Sequence, residues 1–130
     1  MKPSERENYV KYRLEKAEEA FQAAILLAAN NQWNAAINRL YYAAFYAVTG
    51  LLVQNNIETK SHSGVKTQFF MLFVKPGTIP LEMGKLYSDL FDWRQKGDYG
   101  DFFDFSEEDV LPLLQPTRNL LDAVRRVLSN

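Results

Sequence analysis

The segment from Ala35 to Val53, AAINRLYYAAFYAVTGLLV, limits the fold of this chain more than any other. It is apolar nearly all the way round a helical wheel. A helix without a polar face has to be surrounded on every side, so it belongs at the centre of a helical domain. Asn38 and Arg39 near its start make it a poor membrane span, and a buried helix of about Trp33 to Gln54 is the expectation. The rest of the chain then has to supply the helices that cover it.

Hydrophobic spacing supplies them. Val10, Leu14, Ala17, Phe21, Ala24 and Ala28 recur at steps of three and four, which draws one apolar stripe along a first helix from Ser4 to Ala29. Glu15, Lys16, Glu18 and Glu19 fall off that stripe. The break Asn30-Asn31-Gln32 is short enough to fold the first two helices into an antiparallel hairpin. That turn resembles the helix turns of tetratricopeptide repeats, but no second copy follows and a lone hairpin cannot cover itself. Ser61 is placed to cap a third helix running from His62 to Val74, with Val65, Phe69, Leu72 and Phe73 inward, and Lys75-Pro76-Gly77 to stop it. A fourth helix from Pro80 to Lys96 buries Met83, Leu86, Tyr87, Leu90 and Phe91, with Gly97 as its cap. Gly97 to Phe105 reads as a loop. Ser106 and Asp109 form a capping pattern for a fifth helix, which Pro112 and Pro116 are expected to kink or split before Leu120, Leu121, Val124 and Leu128 continue it. Residues 1–130 therefore make one all-α domain.

Charge and composition narrow the function. With 15 basic against 16 acidic residues there is no basic excess for duplex DNA, although a local phosphate pocket stays open. Cysteine is absent, so no disulfide or thiolate metal site exists. The N-terminus is charged, no membrane segment is expected, and a cytoplasmic address follows. No pattern calls for a cofactor: glycine-rich phosphate loops, nucleophile elbows and paired-histidine metal spacings are missing. The acidic run Asp101, Asp104, Glu107, Glu108 and Asp109 reads as a solvated helix start.

A few polar residues sit where apolar ones are expected. Arg39 lies inside the most apolar helix and needs a carboxylate, a carbonyl, a ligand phosphate or solvent. The plain alternative is a structural ion pair with Asp98 or Asp89. Arg94 continues the buried stripe of the fourth helix, and Asp98 and Tyr99 follow on the expected loop, where Asp98 is positioned to clamp it. His62 is the one histidine. It is a proton carrier only if it meets the arginines, and otherwise a structural hydrogen-bonding group.

The runs AINRLYYAAFYAVTGLL, KSHSG, FFMLFVKPG and LYSDLFDWRQKGDY, in this order and spacing, resemble the HEPN domains of prokaryotes over nearly the whole chain. The resemblance implies an antiparallel up-and-down bundle of four long helices plus a short fifth, usually paired as a homodimer. It also implies association with a minimal nucleotidyltransferase in two-gene modules of the toxin–antitoxin kind. Some members are metal-independent ribonucleases that use an arginine followed four to six residues later by a histidine. Here Arg94 matches the arginine, while Asp98, Tyr99 and Gly100 fill the window, Asp101 follows it, and no histidine is among them. The resulting expectation is a non-catalytic module that binds nucleotide, RNA or a nucleotidyltransferase partner through Arg39, Tyr42, His62, Arg94, Asp98 and Tyr99. The alternatives are a metal-independent endoribonuclease using Arg94 and His62, and a structural homodimeric protein in which these residues form an internal network.

Overall fold

In the computed structural model, which describes residues 1–100 and 103–130, the apolar segment forms α2 (Trp33–Gln54). Ala36, Ile37, Leu40, Tyr41, Ala43, Ala44, Ala47, Val48 and Leu51 all have no measurable exposure. Four further helices surround it: α1 (Pro3–Ala29), α3 (His62–Phe69), α4 (Leu81–Tyr99) and α5 (Glu107–Ser129). α1, α5 and α4 all pack on α2, and α1 does so most extensively. No strand occurs among the described residues. The architecture is thus the expected helical bundle of four long helices and one short one, and its core lies along α2.

Local chemistry explains the joints. Asn31 at φ 60° and Asn56 at φ 60° close α1 and α2 in the left-handed region, which asparagine tolerates better than most residues. Ser61 caps α3 by accepting from the Gly64 N–H at 2.9 Å. Ser106 and Asp109 form a reciprocal capping box at the start of α5. Ser106→Ala is expected to cost about 1 kcal/mol in urea denaturation.

Four expectations need correction. α3 does not run on to Val74 as an α-helix: Phe70–Val74 is a π-helical turn. The extra residue in that turn shifts the phase, so Phe73 goes inward while Leu72 is 44% exposed. α4 continues past Gly97 to Tyr99 and is capped by Gly100. Gly97 serves close packing instead, since a Cβ there would stand 3.0 Å from the Phe105 ring. Finally, α5 is one continuous helix containing both Pro112 and Pro116. Both prolines are solvent-exposed, so water can take the carbonyl bonds that their missing N–H groups leave open. Within the acidic run, Asp104, Glu107, Glu108 and Asp109 are exposed, and Asp101 lies outside the described residues.

Gly84 marks the tightest approach between elements. A Cβ at that position would lie 2.7 and 2.9 Å from the two methyls of Val74. Gly84→Ala is therefore expected to destabilise by about 1–3 kcal/mol despite the higher helix propensity of alanine, measured by chemical denaturation.

Candidate functional site

The site is built around two adjacent tyrosines of α2. A helix that is apolar on every side buries one of two neighbouring tyrosines and leaves the other half-buried at the seam. Tyr41 has no measurable exposure, and Tyr42 is partly exposed. Their rings meet edge to face at 5.1 Å between centroids.

Arg39, one turn before Tyr42 on α2 itself, and two groups from other helices, Arg94 and His62, close on this pair. The Arg39 guanidinium lies 5.0 Å from the centre of the Tyr42 ring. The Arg94 guanidinium, from α4, lies 5.0 Å from the Tyr41 ring, 5.7 Å from Tyr42 and 5.9 Å from Tyr99. His62, from the first turn of α3, stands edge-on to Tyr42 at 6.0 Å and stacks on Phe45 at 4.4 Å. Its Nδ1 shares a 2.8 Å hydrogen bond with the Tyr41 hydroxyl, which donates or accepts according to the ring tautomer. Arg39, Tyr42, His62, Arg94, Asp98 and Tyr99 therefore converge on one place.

The two arginines are held differently. Arg94 is 8% exposed, and its nearest carboxylate is Asp98 at a loose 3.7 Å. Its buried Nε has no hydrogen-bond partner among the described residues. Aromatic faces supply most of what stabilises this cation. Asp98 sits in the last turn of α4, not on a loop, so the pair is an i, i+4 contact within one helix. Arg39 forms no ion pair with Asp98 or Asp89. It hydrogen-bonds the Asn38 Oδ1 at 3.0 and 2.9 Å, while the Asn38 Nδ2 donates to Asp98 at 2.9 Å. Being partly exposed, Arg39 reaches toward solvent over the Tyr42 ring and offers a cation without a carboxylate partner among the described residues.

Sequence reasoning missed Tyr41 and Asn34. Tyr41 joins His62 to Arg94, yet a helix with no polar face gives no phase from which to read which tyrosine turns inward. Asn34 positions the segment that follows α4. Its Nδ2 donates to the Phe103 carbonyl at 3.0 Å, and its Oδ1 accepts from the Phe105 N–H at 2.8 Å.

Burial pushes the Tyr41 phenol up to about 12, so it stays protonated at neutral pH. Burial, and then the positive charge of Arg94, hold His62 below its ordinary value of 6.5. As the pH falls below about 6.5, the unfolded chain thus takes up a proton that the folded ring resists. Stability is expected to be unaffected by His62 above that pH and to fall as pH drops through the window down to the lower folded value. Because the chain has one histidine, His62→Gln should flatten the change in melting temperature between neutral and mildly acidic buffer.

No group of three or more metal-ligating side chains occurs among the described residues. No helix among the described residues is long and apolar enough to cross a membrane.

Comparison with known proteins agrees with this architecture. A protein of Thermotoga maritima named "UPF0332 protein" is 36% identical over 98% of this chain and 96% of its own length. A Methanocaldococcus jannaschii protein named "Putative toxin" is 30% identical over 88% of this chain and 78% of its own. The crystal structure of TT1696 from Thermus thermophilus superposes with a TM-score of 0.76, at 15% identity, over 92% of this chain and 98% of that one, which bears on the fold alone. The HEPN domain model matches residues 10–127, and with that match the chain belongs to the HEPN family.

Proposed function

We propose that this HEPN domain is a toxin-like module that binds single-stranded RNA or a nucleotide at the Tyr42 site. The observation that carries the reading is the approach of Arg39, Arg94 and His62, separated widely in sequence, to one partly exposed aromatic ring. Arginine guanidiniums match phosphate oxygens in charge and fork geometry, and an exposed tyrosine ring offers a base a face to stack on. Tyr99, 75% exposed beside Arg94, adds a second such ring. The near-neutral charge of the chain fits a local site better than a broad electrostatic one. The relatives named as toxins support the biological setting. A homodimer and a minimal nucleotidyltransferase partner belong to the same proposal, tested by the mass of the purified protein and by co-purification from cells carrying both genes.

The binding test is fluorescence anisotropy with a labelled oligouridylate. Arg39→Ala is expected to weaken binding about tenfold, the loss of one charge-assisted contact, without a change in melting temperature. Full affinity in this variant would remove Arg39 from the site.

One observation favours a second reading, cleavage. His62 and Arg94 both contact Tyr41, and His62 is held toward its neutral form. In the tautomer whose Nδ1–H donates to Tyr41, Nε2 has a lone pair for a 2′-hydroxyl proton. The 2′-oxygen would then bond to phosphorus, the 5′-oxygen would leave and take a proton from water, and Arg94 would offset the growing negative charge. RNA incubated with the protein in chelator decides between the readings. Intact RNA fits binding alone. Products ending in a 2′,3′-cyclic phosphate, lost in His62→Ala, fit cleavage.

A further inference from the structure

His62 also borders a cavity that the Tyr42 site does not use. The cavity has a volume of roughly 570 Å³, within the range of about 300–1,000 Å³ common for small-molecule sites. Phe45, Thr49, Lys60 and His62 line it together with Tyr9 and Arg13 of α1. Its floor is apolar, formed by Leu52, Val53 and Val65, of which Leu52 and Val65 are buried.

Arg13 on its rim is poised over aromatic rings as Arg39 is, and Lys60 adds a second cation. The Arg13 guanidinium lies 5.0 Å from the Tyr9 ring and 5.5 Å from the Tyr46 ring, and its Nε donates to the Tyr9 hydroxyl at 3.0 Å. Neither Arg13 nor Lys60 forms an ion pair among the described residues. Glu58, exposed on the connection between α2 and α3, is the one acidic side chain of the lining among the described residues. A phosphate therefore sits most favourably away from Glu58, toward Arg13 and His62.

We infer that this cavity is a second nucleotide subsite, continuous with the Tyr42 site through His62, so that the protein takes a single strand of RNA and not a free mononucleotide. One phosphate is held by Arg39 and Arg94 beside Tyr42. The next nucleotide crosses His62, rests its base on the apolar floor against Phe45, and places its phosphate toward Arg13, with Lys60 contributing longer-range charge. Cations alternating with aromatic and apolar surface along one track are what a flexible single strand requires. The inference rests on the RNA-binding reading of the Tyr42 site.

The test compares a labelled dinucleotide with a labelled oligouridylate of about eight nucleotides, a length within the usual span of single-strand sites. Wild-type protein, Lys60→Ala, Arg13→Gln and Arg94→Ala are measured by anisotropy over a salt series. The longer strand should bind at least about tenfold tighter than the dinucleotide. Lys60→Ala and Arg13→Gln should each weaken the longer strand roughly fivefold and lower its salt slope by about one, while leaving the dinucleotide unchanged. Lys60 is an exposed loop residue, so its variant separates a binding effect from a folding one. If both variants hold the longer strand as wild type does while Arg94→Ala loses it, the second subsite is wrong and the Tyr42 site stands. If wild type binds neither probe, the RNA reading of the Tyr42 site fails, and the subsite with it.

Discussion

Tyr41→Ala is expected to destabilise the protein by about 3–5 kcal/mol, the usual cost of deleting a large buried ring from a core. Tyr41 has no exposed surface and lies against Tyr42, Phe45, Tyr87, Phe91 and His62, with ring centroids 5.1 to 6.2 Å away. Removing it leaves a void where α2 packs against both α3 and α4. It also takes away the hydroxyl that fixes His62 and a face on which Arg94 leans. Tyr41→Phe keeps the ring and loses only the hydroxyl, so about 1 kcal/mol should suffice for it. Urea denaturation of both variants measures the difference. An alanine variant as stable as the phenylalanine one would show that the ring is not central to the packing.

Arg94→Ala is expected to act mainly on binding, weakening single-stranded RNA about tenfold to a hundredfold, as the loss of a charged hydrogen-bonding group does. Its effect on stability should be smaller, about 1 kcal/mol. The pair it makes with Asp98 is long, and the carboxylate left behind keeps 27% side-chain exposure, so it is not stranded in the core. The orphaned Nε leaves together with the guanidinium, which removes a buried cost. Arg94→Lys should not restore affinity, because an ammonium cannot spread over the faces of Tyr41 and Tyr42 as a planar guanidinium does. Anisotropy and thermal melting on the same preparations separate the two effects. A large fall in melting temperature with unchanged affinity would make Arg94 a scaffold residue.

The fold was legible because its determinants are local or periodic. An apolar segment of helix length without a polar face dictated the centre of the bundle, and the Ser61 and Ser106 caps declared themselves by residue type and spacing. What escaped depends on tertiary context. The π-turn at Phe70–Val74 packs closely on α4 at Gly84, where a Val74 methyl would stand 2.7 Å from any Cβ, and no local residue pattern announces it. Pro112 and Pro116 leave α5 unbroken because both happen to face water. Gly97 looks like a cap in sequence and proves to be a gap for Phe105.

The site was legible in part for the same reason. Arg39 and Arg94 stood out as charges among apolar neighbours, and His62 as the lone imidazole. Arg39 stands one helical turn before Tyr42, which spacing alone gives, but the arrival of His62 and Arg94 at the same ring is a fact of helix packing that no spacing encodes. The ion pair considered for Arg39 is absent because Asn38 intervenes, receiving Arg39 with its oxygen and giving its nitrogen to Asp98. Asn38 had no hydrophobic pattern to mark it. Tyr41 was hidden by the uniformity that made α2 recognisable.

Because the chain has a single histidine, one ring resonance reports on the site without assignment. Titrating the His62 imidazole by proton NMR, with and without saturating oligouridylate, tests phosphate binding most directly. A phosphate brought between Arg39, Arg94 and His62 adds negative charge beside a ring now held below 6.5, so the bound protein should titrate at clearly higher pH. A His62 titration that is the same with and without RNA would contradict the account.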